Sequence, residues 1–261
     1  MYHVKKLFYW LLAKIDCIWE LFSERLCFFC QSQKGGLVCK SCLRNSFDFK
    51  TKLVDYKILD NFFNKDEQVY PPSIFFLFNF QKETSHLIKK AKYSRPHYAQ
   101  ELAKKLSEYF LTYQEEIFYE LCLKKQEVNL FITEVPMYQK KYHQRAFNFA
   151  YELAKEFYEN LVKQDFKKVF FIPGLFERLK NTKALYDLDP TKRMEELRDA
   201  FAMQKLEGFS KTPSSLNLLL IIDDISTTGS TLMELMKLSR QVAYFDEDFA
   251  MTLYGRNLKF S

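Results

Sequence analysis

Residues 219–231 read Leu-Leu-Ile-Ile-Asp-Asp-Ile-Ser-Thr-Thr-Gly-Ser-Thr. An apolar run ends in two carboxylates and passes directly into a hydroxyl-rich turn. Leu232, Leu235, Met236 and Ser239 follow at helical spacing. This pattern predicts a buried parallel strand, a tight loop and a helix. The loop then lies at the carboxyl end of the strand, where open α/β sheets hold their ligands. Backbone N–H groups at a helix start favour an anion. Within the loop from Ser226 to Thr231, the hydroxyls of Thr227, Thr228, Ser230 and Thr231 can donate to the same oxygens. Gly229, one of only six glycines, permits a close backbone approach or a positive φ. Asp223 and Asp224 suit the vicinal hydroxyls of a ribose, or a magnesium ion held through water. The plain alternative at this point is a pair of solvated acids beside a Ser/Thr helix cap.

Four of the six cysteines, Cys27, Cys30, Cys39 and Cys42, form two CxxC pairs within sixteen residues. A CxxC turn presents two thiolates on one side of a knuckle, and two knuckles make a tetrahedral sulfur site suited to zinc. Gly35 and Gly36 fall in the intervening loop, where the chain must reverse. A thioredoxin-like redox pair would explain one CxxC but not two neighbouring ones. Four protein ligands close the coordination sphere, so the expected role of the zinc is structural. Cys17 and Cys122 lie on apolar helical stretches and read as core residues.

The chain has 261 residues, enough for one large domain with a small module. The expected division is an amino-terminal helix and metal module over 1–50 and an α/β domain over 51–261. Net charge is +6, compatible with polyphosphate or nucleic acid and proof of neither. Leu7, Leu11, Ile15, Ile18, Leu21 and Phe22 suit an amphipathic helix over 1–22. Lys14, Asp16 and Glu20 interrupt that run, which is too short and too charged to span a bilayer. Docking on the protein body is the favoured role, and peripheral membrane contact the lesser one. The expectation is a cytoplasmic protein with reduced thiols.

Further strands are expected over 73–80, 130–135, 169–172 and 249–253, with helices over 84–93, 98–125 and 144–162 and a loop-rich stretch over 173–200. Strands alternating with helices argue for a parallel sheet flanked by helices. After the strand ending at Val135-Pro136, Lys140, Lys141 and Arg145 crowd a helix start. Such a turn can hold pyrophosphate, or can be a solvated basic helix end. Arg178, Lys180, Lys183, Lys192, Arg193 and Arg198 fit either a mobile cationic lid or solubilising charge. His3, His86, His97 and His143 form no metal spacing, and only His143 falls near the presumed ligand.

Taken together, the motif over 219–231 resembles the signature of type I phosphoribosyltransferases, which bind phosphoribosyl pyrophosphate. The ordered set resembles the ComF family over nearly the whole chain: the four cysteines, Lys92-Tyr93, Val135-Pro136, Arg145-Ala146-Phe147-Asn148, Arg193, Ala200-Phe201 and the final loop. The resemblance implies a type I phosphoribosyltransferase-like parallel sheet with an amino-terminal zinc finger. It implies phosphoribosyl pyrophosphate and Mg2+ bound by the loop and by Val135, Pro136 and Arg145. It also implies a part in natural transformation, with single-stranded DNA and the DNA-uptake machinery as partners at the cytoplasmic side of the inner membrane. The family has no single defined transferase reaction, so no catalytic residue is assigned. Ala146, Leu185 and Glu196 depart from the family's usual glycine, glutamine and asparagine. Thr227 stands where purine-salvage relatives often carry an acid, which weighs against ordinary base salvage. A nucleobase salvage transferase and a non-catalytic adaptor that binds single strands remain the alternatives. Lys89, Lys90, Lys92, Lys140 and Lys141 are the candidate DNA contacts.

Overall fold

The apolar run before Asp223 forms an 11-residue strand, and it sits in the middle of a six-stranded sheet. The structure is a computed structural model that describes residues 27–32, 37–46, 52–54, 73–79, 82–93, 96–113, 128–166, 168–182, 190–206, 215–226 and 229–255. The chain divides into two compact units, Met1–Phe47 and Asp48–Ser261. The expected helix over 1–22, Gly35, Gly36, Cys17, Cys122, Lys183, Leu185, Thr227 and Thr228 lie outside the described residues.

In the first unit a tight turn at 27–32 precedes helix α1 (Lys40–Ser46). The Cys27 N–H donates to Ser32 O at 2.9 Å, and the Gln31 N–H donates back to Cys27 O at 2.9 Å. Leu37, Val38 and Leu43 are buried alongside Cys27 and Cys39. Apolar burial and sulfur placement thus share one small core.

The second unit begins with β1 (Lys52–Val54), β2 (Ser73–Asn79), α2 (Lys82–Tyr93), α3 (Pro96–Tyr113) and β3 (Val128–Glu134). It continues through α4 (Gln139–Arg145), α5 (Phe149–Lys163), β4 (Val169–Phe171), β5 (Phe176–Arg178), α6 (Pro190–Leu197) and β6 (Phe201–Met203). It ends with β7 (Leu216–Ser226), α7 (Ser230–Arg240) and β8 (Glu247–Gly255). The sheet order is β1-β2-β8-β7-β3-β4. β1 pairs antiparallel, and every other neighbouring pair is parallel. This is the expected α/β parallel sheet, consistent with a phosphoribosyltransferase-like fold.

Both faces of the central strands are covered, which is why β7 is apolar at successive positions. Phe131, Leu219 and Ile221 pack with Leu232, Leu235 and Met236 of α7. Side chains one position on point to the opposite face. There Ile222 and Met251 meet Leu153 and Phe157 of α5 and Leu106 and Phe110 of α3. The chain leaves β3 toward β4, then returns to β7 on the other side of β3. That reversal opens a crevice at the carboxyl ends of β3 and β7, the usual ligand position in such sheets.

Two expectations need correction. The helix expected over 144–162 is two helices, α4 and α5. Ala146 breaks them with a left-handed φ of 65°, and the Asn148 side chain caps α5 by accepting from the Ala150 N–H at 3.2 Å. The stretch 173–200 contains β5 and α6, and β5 pairs antiparallel with β6. Three-residue strands are too short to leave a period-two signal. Helix α3 ends at Tyr113, and residues 114–127 lie outside the described set. Among the described residues, no helix is long and apolar enough to cross a membrane.

Candidate ligand crevice and metal centre

The four sulfurs of Cys27, Cys30, Cys39 and Cys42 all lie within 4.8 Å of one another. A tetrahedral zinc with bonds of about 2.3 Å requires sulfurs about 3.8 Å apart. Cys30 Sγ and Cys39 Sγ are 3.8 Å apart. The Cys39 N–H points at Cys27 Sγ and the Cys42 N–H at Cys39 Sγ, each at 3.4 Å. Such donors favour the thiolate form a metal needs. Residues and spacing therefore fit one closed metal site, and zinc is the ion suited to four thiolates.

In the crevice, β3 ends at Glu134 opposite Ile222, and β7 runs on past it through Asp223 and Asp224 to Ser226. The Val135 N–H donates to Ile222 O at 2.9 Å, so the Val135-Pro136 turn is pinned to the strand carrying Asp223. The Asn148 amide donates to Val135 O at 3.0 Å, so one residue caps α5 and braces the turn. Asp223 Oδ1 accepts the Asp224 N–H at 2.8 Å. Burial, and then the like charge of Asp224, push the Asp223 carboxyl up to about 8, against the pull of Lys92. Asp224 is buried and pairs with Lys92 Nζ at 2.7 Å. Lys92 and Tyr93 end α2. The guanidinium of Arg145 lies 4.4 Å from the Tyr93 ring centre, and its Nη2 donates to the Tyr93 hydroxyl at 2.8 Å. The Lys-Tyr pair thus reaches one residue on each side of the crevice.

The loop after β7 is braced from within. Ser226 is buried, and its Oγ accepts the Gly229 N–H at 2.9 Å. Gly229 has a φ of 75° at the start of α7, a left-handed conformation that a side chain would strain. Ser230 and Thr231 occupy the first turn of α7 and are half-buried. N–H groups and hydroxyls there suit an anion.

Cations gather on the β3 side. Burial pulls Lys141 below the usual lysine value, and Arg178 and Arg145 push it further down. Burial also pulls Arg178 down, and the Asp223 charge opposes this. Arg178 hydrogen-bonds Thr182 and lies 5.3 Å from the Phe201 ring centre. It is a fixed, half-buried side chain of the site wall, not part of a solvated lid. Lys180 donates to Arg198 O at 2.8 Å, and Lys192 and Arg198 are exposed.

Next to these residues is a cleft of about 500 Å³. Glu134, at the end of β3, forms part of its wall and is 7% exposed. The Gly174 N–H donates to Glu134 Oε1 at 3.1 Å, from a turn whose φ of 72° favours glycine. Burial pushes the Glu134 carboxyl above its usual range.

The structure brings Val135, Pro136, Arg145, Asp223, Asp224, Ser226, Gly229, Ser230 and Thr231 to the ends of β3 and β7. His143 is exposed on α4. Of the candidate DNA contacts, Lys89, Lys90 and Lys140 are exposed, while Lys92 is committed to Asp224 and Lys141 is half-buried. Sequence reading missed Glu134, and it had Asn148 only as part of the Arg145–Asn148 motif, without its role as cap and brace. A glutamate between an apolar strand and Val-Pro was the available signal for the first. An Asn directly before an apolar helix was the signal for the second.

No protein-family model matches the chain. The chain is 30% identical to Competence protein F of Haemophilus influenzae over 114 residues, 42% of this chain and 44% of that protein. It therefore spans less than half the length of that curated relative. This match and the four-cysteine cluster are consistent with the chain's resemblance to the ComF family.

Proposed function

We propose that the crevice between β3 and β7 binds phosphoribosyl pyrophosphate with magnesium. The observation that carries the proposal is the division of the crevice into unlike halves. Asp223 and Asp224 lie near the end of one strand, before a hydroxyl-rich helix start, and Lys141, Arg145 and Arg178 gather about the other. In this reading the helix start and the loop hydroxyls hold the 5′-phosphate. The carboxylates take the ribose hydroxyls, with Lys92 orienting Asp224. The cations and the Val135-Pro136 turn take the pyrophosphate, and magnesium offsets its charge. Burial strengthens each contact by removing competing water. The name of the curated relative extends the proposal to competence, with single-stranded DNA as the partner and a cytoplasmic site of action. Calorimetric titration with phosphoribosyl pyrophosphate and magnesium tests the binding step. Saturable binding that disappears when Asp223 and Asp224 are both changed to Ala supports it, and equal binding by that variant overturns it.

A further inference from the structure

Lys92 and Tyr93 are consecutive residues at the carboxyl end of α2, and each grips a different wall of the crevice. Lys92 Nζ meets Asp224 Oδ1 of β7 at 2.7 Å. The Tyr93 hydroxyl accepts Arg145 Nη2 of α4 at 2.8 Å, and the guanidinium lies 4.4 Å from the ring centre. Tyr93 is nevertheless 70% exposed, so burial does not account for its place.

Arg145 has little else to hold it. It is the last residue of α4, a seven-residue helix with no buried residue. Among the described residues, no carboxylate lies within ion-pair distance of its guanidinium. Its charged neighbours are cations: Arg145 and Arg178 together lower the Lys141 ammonium. Like charge therefore drives a free guanidinium away from the point where the three converge. A long side chain also gives up rotamer freedom when it takes hold of an anion. A guanidinium already ordered against a ring has lost that freedom before the ligand arrives. The bond to Tyr93 uses one of its five donors, and the planar fork keeps the others for an oxyanion.

We infer that Tyr93 is the positioning residue for Arg145, and that the Lys92-Tyr93 pair fixes the sugar-binding and pyrophosphate-binding walls of the crevice relative to each other. The inference rests on the reading of the crevice as a sugar-phosphate site with Arg145 on its pyrophosphate side. Tyr93 acts through Arg145 and touches no ligand itself.

The test is calorimetric titration of the full-length protein, Y93A, Y93F, R145A and the double variant Y93A/R145A. The probes are phosphoribosyl pyrophosphate and inorganic pyrophosphate, each with magnesium, and ribose 5-phosphate, which lacks the pyrophosphate. Y93A should weaken both pyrophosphate-bearing probes about fivefold, the size of an exposed contact between a cation and a ring. Y93F keeps the ring and loses only the hydroxyl acceptor, so its loss should be smaller. Ribose 5-phosphate should bind Y93A and the parent alike, within about twofold, because a loss confined to one half of the ligand is not a general loss of structure. In the R145A background, Y93A should add no further loss, since its effect passes through Arg145. The inference is overturned if the parent binds inorganic pyrophosphate and Y93A binds it as tightly, if ribose 5-phosphate suffers the same loss, or if the losses of Y93A and R145A add. If neither the parent nor any variant binds either pyrophosphate-bearing probe, the reading of the crevice has failed and takes the inference with it.

Discussion

Ala146 illustrates how one side chain registers a backbone demand. It ends α4 in the left-handed region, where an L-residue other than Asn or Gly is strained by roughly 1–2 kcal/mol. Ala146→Gly should therefore stabilise the protein by about 0.5–1 kcal/mol, once the added freedom of the unfolded chain is subtracted. Urea unfolding measures this directly, and a loss of stability would contradict the assigned conformation. Asp223 makes the opposite case, a residue held against its own preference. Its folded carboxyl titrates at about 8, above an unfolded value near 3.9. The folded state thus holds a proton that the unfolded state has released, so stability falls as pH rises through that window. Asp223→Asn removes the effect. The variant should melt above the parent at about pH 8, with the gap closing toward about pH 4, while ligand binding is lost. Asp224 and Lys92 face the same carboxyl, and Arg178 feels its charge, so the comparison is made at constant salt.

At the scale of elements, the metal knuckles and the loop before α7 each depend on a few backbone N–H groups. The knuckles of the Met1–Phe47 unit need deprotonated thiols, so metal binding and folding are coupled there. Purified protein should carry about one zinc per chain. Cys39→Ser should release it and unfold α1, while the sheet of the second unit keeps its far-UV circular dichroism. Retention of zinc by that variant would exclude Cys39 as a ligand. In the ligand loop, Gly229 combines a positive φ with a donor held by Ser226. Gly229→Val should abolish phosphoribosyl pyrophosphate binding and lower stability by at least about 1 kcal/mol. Thermal denaturation with and without ligand separates the two effects.

For the whole molecule, ligand binding should appear as global stabilisation, because the crevice joins β3, β7 and the end of α2. At a hundredfold excess over its Kd, phosphoribosyl pyrophosphate with magnesium should add about 2.7 kcal/mol. Replacing Asp223 and Asp224 together by Ala should remove that gain. A shift in melting temperature as large as the parent's would refute the assignment. If single-stranded DNA binds through the exposed Lys89, Lys90 and Lys140, its affinity should fall steeply with added salt. A gel shift that salt leaves unchanged would remove phosphate contact as its basis.

The strand at Leu216–Ser226, its loop and its helix were legible because a buried parallel strand must be apolar at successive positions and its end must carry the polar groups. The four cysteines were equally legible, since CxxC spacing fixes thiolates locally. Other features depended on distance along the chain. Nothing in the spacing of Lys92 and Asp224 pairs them, because β2, α2 and β7 meet only through the sheet order. Arg178 reads as one of many loop cations until burial and Phe201 fix it. Glu134 has an acidic side chain in any register, and only the Gly174 turn and the surrounding packing leave one of its oxygens without a partner. Local chemistry wrote the loop and the metal knuckles into the sequence. Which charges face one another was decided by tertiary structure, because burial and pairing depend on neighbours that the chain brings together only when it folds.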